Sequence, residues 1–172
     1  MATIYLKDKP LHTYGHLPEI GTDAPNFVAT RLDLSTCSLD DFKNKSVLIN
    51  VYPSIDTQVC FESVKKFQHV ALNGHEIEIV CISMDLPFAL QRVVSGENLK
   101  GITFLSDFRN REFGDLYGVT IADGALAGLL ARAVIVLNAN HQVIYHELVA
   151  NVSTPPDYQA ALDKLVPTNT SA

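Results

Sequence analysis

The chain has 172 residues, of which 47% are hydrophobic and 19% charged, and a formal net charge of −6. This composition is ordinary for a globular protein with a core, and the negative charge argues against nucleic acid or an anionic membrane as a partner. The chain has no run of about 18 apolar residues that would span a bilayer, and residues 1–8 lack the apolar centre of a secretion signal. We therefore expect a cytoplasmic protein.

The N-terminal third predicts a β-hairpin and the first elements of a sheet. Residues 3–14 form two short alternating segments around a turn at 7–10, and we assign residues 1–16 to this hairpin. A loop, a strand and a short helical turn capped by Ser38 are predicted next, at 17–26, 27–32 and 39–42.

The middle of the chain predicts two buried strands, each followed by a helix. The apolar runs at 47–52 and 76–84 are typical of central strands in a sheet that is covered on both faces. The first helix is predicted over 62–72, with its end at 73–74. Its apolar face points toward the sheet and consists of Cys60, Val64, Phe67 and Ala71.

The second helix is predicted to have Asp85 as its N-cap and Pro87 in its first turn, and to run to about residue 94. The remaining elements are a strand at 102–105, a helix at 110–117, a loop at 121–128, a hairpin of strands 131–137 and 142–149, a helix from 154 through 165, and a frayed tail at 167–172.

This order of elements is that of an α/β protein with a thioredoxin-like fold. We predict a mixed central sheet with helices on both faces, preceded by the N-terminal hairpin, and one domain over residues 1–172.

Cys60 is the candidate nucleophile. It closes the segment 53–60 (PSIDTQVC), where a buried strand passes into a helix. With Asp56 or Thr57 at the N-cap, Cys60 lies in the first turn, where unpaired N–H groups and the helix dipole favour a thiolate over a thiol. The Thr57 hydroxyl can then face the sulfur or a substrate oxygen, and Pro53 has no N–H to compete for that oxygen.

Arg132 is the candidate cation for this thiolate. It precedes an apolar strand, and a buried charge is costly unless it is paired. The pattern leaves open a second interpretation, in which Arg132 stands at a strand end with its guanidinium in water. Arg92 and Arg109 lie in polar segments and are weaker candidates.

The other two cysteines, Cys37 and Cys81, are interpreted as packing residues. They lie 23 residues before and 21 residues after Cys60, which matches neither a zinc site nor a C-x-x-C pair. An odd, small number of cysteines does not suggest a disulfide scaffold either.

The segment 53–60 resembles the peroxidatic loop of the peroxiredoxins, in particular of their thiol peroxidase subfamily. Further similar motifs follow in the same order along nearly the whole chain, at 21–27, 81–89, 108–113, 117–119, 121–124 and 130–134.

The resemblance implies a peroxidase without a metal or organic cofactor, in which Cys60 is the peroxidatic cysteine. Thr57 and Arg132 would activate it and bind the peroxide, and Pro53 would shield it. The resemblance also implies a homodimer. Leu86 and Phe88 would give the site an apolar lining that suits alkyl hydroperoxides as well as hydrogen peroxide. The reductant would be a thiol, such as thioredoxin, glutaredoxin or glutathione.

The chain departs from this subfamily at the resolving cysteine, because the expected position, counted from Asp85, is Val94. A valine cannot form a disulfide. Three alternatives remain: an external thiol reduces Cys60 directly, which we favour; Cys81 or Cys37 takes over; or the chain is an engineered or inactive relative. A sulfenic acid that persists without a resolving thiol is exposed to overoxidation.

Other functions fit the motifs less well. A thioredoxin-type oxidoreductase needs C-x-x-C, and Thr57 occupies the position of the other cysteine. A glutathione-peroxidase-like enzyme shares the fold and the reaction but has different motifs. The alternative from another class is a redox-signalling protein, in which the Cys60 sulfenic acid is passed to a partner thiol.

Overall fold

The computed structural model describes residues 1–72 and 76–165. The predicted helix end at 73–74 and the predicted tail at 167–172 lie outside these described residues. Within the two ranges, none of the helices combines the length and the hydropathy needed to cross a bilayer.

The helices and strands follow each other largely as predicted. In chain order they are β1 (Thr3–Leu6), β2 (Lys9–His12), β3 (Val28–Arg31), β4 (Thr36–Ser38), a 3₁₀ turn (Leu39–Phe42), β5 (Ser46–Val51), α1 (Gln58–Leu72), β6 (Ile77–Ser83), α2 (Pro87–Gly96), β7 (Thr103–Ser106), α3 (Glu112–Tyr117), β8 (Ala133–Leu137), β9 (Val143–Leu148) and α4 (Tyr158–Leu165).

Among the described residues, seven strands form the central sheet in the order β4-β3-β7-β6-β5-β8-β9. The pairs β5–β6 and β6–β7 are parallel, and the other neighbours are antiparallel. The sheet is mixed, as predicted, and β5 and β6 lie near its centre because their side chains are apolar on both faces.

The sheet separates two cores, since successive side chains of a strand point to opposite faces. In β5, Val47 and Ile49 belong to one core, and Leu48 belongs to the other. Helices α1, α2 and α4 pack on the Leu48 face, whereas α3 and the N-terminal hairpin pack on the opposite face. The prediction of helices on both faces is confirmed.

The N-terminal hairpin is also confirmed, but its turn is shorter than predicted. Lys9 and Pro10 lie in strand β2, so Lys7 and Asp8 make the turn, with Lys7 at a φ of 58°. β1 further pairs with the segment that follows β9, because the Tyr5 N–H donates to the Ala150 carbonyl and the Tyr5 carbonyl accepts from the Val152 N–H. The hairpin is therefore fastened to the main sheet.

α1 begins at Gln58, which agrees with the N-cap predicted at Asp56 or Thr57 and places Cys60 in the first turn, although the amphipathic segment was predicted only over 62–72. The prediction that Asp85 caps α2 is wrong: the N-cap is Leu86, and Pro87 is the first helical residue. The Asp85 carboxylate instead binds the loop before α1, because that loop offers it a backbone N–H and a serine hydroxyl.

Candidate active site

Cys60 lies at the third position of α1, with Thr57 as the N-cap. The Thr57 carbonyl accepts the Phe61 N–H at 3.0 Å, which is the first hydrogen bond of the helix. The Cys60 N–H is therefore one of the donors that an α-helix leaves without an intrahelical partner. The partial positive charge of the helix N-terminus is concentrated in this turn and favours a negative charge on the sulfur.

The Cys60 side chain is fully buried and lies against a buried guanidinium. Arg132 is 2% exposed, and its Nη2 lies 3.3 Å from Cys60 Sγ. The interpretation that leaves the Arg132 guanidinium in water is therefore wrong. Arg132 Nη1 has no hydrogen-bond partner among the described residues. Nη1 of this buried guanidinium is therefore available to donate to a further acceptor beside the sulfur.

The position of Arg132 depends on the backbone of the hairpin and of the segment after β9. Arg132 donates from Nε and Nη2 to the Val152 carbonyl, at 3.0 and 2.7 Å. The Val152 N–H in turn donates to the Tyr5 carbonyl at 2.9 Å. These contacts hold the guanidinium against Cys60, because Val152 is fixed by strand β1 on its other side.

A cavity of about 250 Å³ opens beside Arg132. Pro53 and Thr57 form part of its wall, so the structure brings together Cys60 and the three residues predicted to assist it. The rest of the wall is mostly apolar and includes Leu6, Leu126, Leu129 and Val152. Such a cavity can hold a small polar group against Arg132 while its apolar wall contacts a hydrocarbon chain.

Thr57 and Pro53 reach the cavity in different ways. Pro53 is buried, whereas Thr57 is exposed and its hydroxyl donates to the Ser54 carbonyl at 3.1 Å. The Thr57 hydroxyl is therefore bonded within the loop and not to the sulfur. A ligand oxygen that accepts the Thr57 proton has to displace this bond.

Leu86 and Phe88 lie outside this cavity. They stand at the start of α2 and are 51% and 69% exposed. Large apolar side chains that are this exposed are more typical of a surface that contacts another protein.

Burial dominates the surroundings of the other two cysteines, Cys37 and Cys81. All three cysteines are free and lie within the described ranges. Burial raises the pKa of the Cys81 thiol to about 12. Burial likewise raises the pKa of Cys37 to about 11, and Cys37 packs in the core on the opposite face of the sheet. A thiolate, which is the attacking form, is thus disfavoured at both positions.

Val94 is half-buried and packs against the core that contains Cys60. The expected position of the resolving cysteine is thus on the same side of the sheet as Cys60, but it carries no thiol.

Sequence reasoning missed three contributors to this site. Leu6 and Val152 come from segments that are distant from Cys60 in sequence. Val152 acts through its backbone carbonyl, which every residue type has, so the sequence gives no sign of this contact. Asp85 carries a signal, since a carboxylate follows a buried strand, but the same position fits a helix cap equally well.

Comparisons with known proteins agree on one family. The redoxin family profile matches residues 19–162. The thiol peroxidases of Mycobacterium tuberculosis and Mycobacterium bovis are each 46% identical over 166 residues, which cover 96% of this chain and 99% of each relative.

Two solved structures are similar over nearly their whole length. A peroxiredoxin-like protein from Aquifex aeolicus superposes with a TM-score of 0.90 at 34% identity, covering 96% of both chains. A thiol peroxidase from Chromobacterium violaceum superposes with a TM-score of 0.87 at 26% identity, covering 95% of this chain and 94% of the other.

Proposed function

We propose, for a chain that belongs to the redoxin family and within it to the thiol peroxidases, that Cys60 is the peroxidatic cysteine of a thiol-dependent peroxidase. The observation that carries this proposal is the 3.3 Å contact between Arg132 Nη2 and the buried Cys60 Sγ at the N-terminus of α1. Both features stabilise a negative charge on the sulfur, and Arg132 itself lines the cavity.

In the proposed reaction the Cys60 thiolate attacks one oxygen of a peroxide, and the O–O bond breaks. The sulfur takes the attacked oxygen and becomes a sulfenic acid, and the second oxygen leaves as hydroxide or alkoxide, which takes a proton from solvent to become water or an alcohol. Negative charge develops on the leaving oxygen. Arg132 Nη1, which lacks a partner among the described residues, and the Thr57 hydroxyl are the donors that would stabilise it.

Pro53 supports the same step by excluding water. It is buried in the wall of the cavity and has no N–H that could compete for the peroxide oxygens. The apolar wall of Leu6, Leu126, Leu129 and Val152 suits the hydrocarbon part of an alkyl hydroperoxide. Hydrogen peroxide would use only the polar end of the cavity.

We propose that the sulfenic acid is reduced by an external thiol. Val94 offers no sulfur, and burial raises the pKa values of both Cys81 and Cys37. One thiol forms a mixed disulfide with Cys60 and releases water, and a second thiol restores the Cys60 thiol. Thioredoxin, glutaredoxin and glutathione are the candidate reductants. A reducing compartment such as the cytoplasm supports this cycle.

The exposed Leu86 and Phe88 support a further proposal, that the chain forms a homodimer through the start of α2. We also propose that residues 1–172 act as one domain, because the hairpin, the central sheet and α1 all contribute to the surroundings of Cys60.

The test is the mass of the intact protein after one equivalent of peroxide in the presence of a dimedone-type reagent. We expect one adduct, located at Cys60, and none in Cys60→Ser. Turnover is then measured with thioredoxin and its reductase, with glutaredoxin and glutathione, and with glutathione alone.

A loss of two hydrogens, indicating an internal disulfide, would contradict the one-cysteine cycle. A single oxidation followed by a stable mixed disulfide with a protein, without turnover, would instead favour the redox-signalling function that the missing resolving cysteine suggests.

A further inference from the structure

The Asp85 carboxylate ties the loop before α1 to the end of a central strand. Asp85 Oδ1 accepts from Ser54 Oγ at 2.7 Å. Asp85 Oδ2 accepts from the Ile55 N–H at 2.8 Å and from Ser83 Oγ at 2.7 Å. Ser83 is the last residue of β6 and is fully buried. One side chain therefore joins a fixed strand end to two successive residues of the loop.

The end of β6 is itself anchored, which makes it a firm support for Asp85. The Ser83 carbonyl accepts the Asp107 N–H at 2.9 Å, and Ser106 Oγ donates to the Asp85 carbonyl. Ser83 and Ser106 also pair as neighbours in the parallel strands β6 and β7. Movement between the loop and the sheet is therefore expected to break the bonds on the loop side of Asp85.

Ser54 passes this restraint on to the helix N-terminus. Its hydroxyl accepts the Asp56 N–H at 3.2 Å, and its carbonyl accepts both the N–H and the hydroxyl of Thr57, at 3.2 and 3.1 Å. Thr57 is the N-cap of the helix turn that contains Cys60. Releasing Ser54 from Asp85 is thus expected to loosen the turn that carries Cys60.

Access to this sulfur matters more here than in a chain with an internal resolving cysteine. The Cys60 side chain is fully buried, and Arg132, which contacts its sulfur, lines the cavity; a thiol as large as glutathione cannot reach the sulfur in this arrangement. An incoming thiolate has to approach the sulfur directly to displace the sulfenic oxygen. The loop at 53–57 has to move before the external thiol reacts.

We propose that Asp85 is a positioning residue that sets how often this loop opens. It thereby divides the Cys60 sulfenic acid between reduction and overoxidation. This inference rests on the proposed function. In the closed form a second peroxide transfers one oxygen to the sulfenate, giving a sulfinate and water or an alcohol. In the open form a thiolate displaces hydroxide, which is protonated to water, and a mixed disulfide forms.

Three variants separate this role from a loss of charge or of fold. Asp85→Ala removes every bond to the loop. Asp85→Asn can keep them, because its Oδ1 accepts from Ile55 and Ser83 while its Nδ2 donates to Ser54 Oγ. Asp56→Asn is the matched control: it neutralises an exposed carboxylate in the same loop that pairs with Arg92 and lies outside the Asp85 contacts.

The experiment measures two rates in each variant: oxidation of Cys60 by hydrogen peroxide, and trapping of the resulting sulfenic acid by dimedone or by glutathione. A hydrogen bond to a charged group that is worth about 1.5–3 kcal/mol corresponds to a factor of roughly 10 to 150 in the opening equilibrium. For Asp85→Ala we expect trapping to become about tenfold faster, because it follows the open fraction, and oxidation to become slower, because it follows the closed fraction. We also expect less sulfinic acid per turnover, measured by intact mass.

Asp85→Asn is expected to restore most of the parent behaviour, and Asp56→Asn to leave both rates unchanged. A general loss of structure would slow both rates together, so opposite changes identify the positioning role. Parallel losses in Asp85→Ala, or no change in either rate, would overturn the inference. If Asp85→Ala does not fold, Ser54→Ala replaces it, with the same signs expected at smaller amplitude.

The failure of the proposed function itself would look different. In that case Cys60 of the parent protein would not be oxidised by peroxide, and the variants would have no sulfenic acid to compare.

Discussion

Cys60 and Cys81 are both fully buried, and both belong to the core on the α1 face of the sheet. Cys60 lies in the first turn of a helix, with Arg132 Nη2 3.3 Å from its sulfur. Cys81 lies inside strand β6, where the amide nitrogen of Asn50 is 3.7 Å from its sulfur. Two sulfurs with the same exposure thus have different electrostatic surroundings: a cation lies beside Cys60 and a neutral amide beside Cys81.

The difference shows that burial by itself makes a thiol inert. At Cys81 burial raises the pKa to about 12, and its amide neighbour does not offset the cost of a buried thiolate. At Cys60 a guanidinium and a helix N-terminus supply positive charge, and the same arginine lines a cavity. Reactivity therefore depends on the charge beside the sulfur.

Removing each sulfur in turn gives the largest expected effect. Cys60→Ser is expected to lower peroxidase activity by at least about a thousandfold, because a serine hydroxyl cannot replace a thiolate nucleophile. Cys81→Ser and Cys37→Ser are expected to keep most of the activity. Peroxide consumption with a thiol reductant is the measurement. Full activity in Cys60→Ser, or loss of activity in Cys81→Ser, would contradict the assignment of the reactive sulfur to Cys60.

Removing the cation beside Cys60 is expected to have the second largest effect on activity. Arg132→Met is expected to reduce kcat/KM for hydrogen peroxide by roughly a hundredfold, as for the loss of one donor to a developing oxyanion. The matched control is Arg92→Met, whose arginine is exposed and pairs with Asp56. The kcat/KM of Arg92→Met should stay within about twofold of the parent value, since this variant loses only a surface ion pair. Equal losses in both variants would show that Arg132 has no special relation to Cys60.

The smallest effect is a dependence of stability on pH that comes from Cys81. Its folded pKa of about 12 lies above the ordinary 9.0, so the stability it contributes is complete below pH 9 and lost as the pH rises from 9 to 12. By about pH 10.5 this loss is roughly 2 kcal/mol. Cys81→Ala has no thiol to ionise and should lose correspondingly less stability over the same pH range.

Denaturant unfolding at several pH values measures this difference. Val80→Ala is the control, because it leaves a cavity in the same strand without removing a titratable group. Its stability should change with pH as that of the parent does. If the free energy of unfolding of Cys81→Ala falls with rising pH as steeply as that of the parent, the assignment of a raised pKa to Cys81 is wrong.

Local patterns in the sequence were sufficient to predict most elements of the fold. Apolar runs predicted the central strands β5 and β6, and helical spacing from Cys60 to Phe67 predicted the buried face of α1. Strand β4 was not predicted, because three residues with one buried side chain carry no periodic signal. Asp85 was misassigned as a cap, because local sequence does not reveal which distant donors a carboxylate meets.

The order of residues along the chain was enough to identify the candidate nucleophile, the helix turn that carries it and the valine, Val94, at the expected position of the resolving cysteine. These properties depend on neighbouring residues and on motif order, which the chain displays directly. Three contacts became visible only in the folded chain: the Arg132 guanidinium reaches Cys60, the Val152 carbonyl and strand β1 hold it there, and Asp85 binds the loop before α1. Those contacts join residues that are far apart in sequence, so they exist only once the sheet and the hairpin have brought them together.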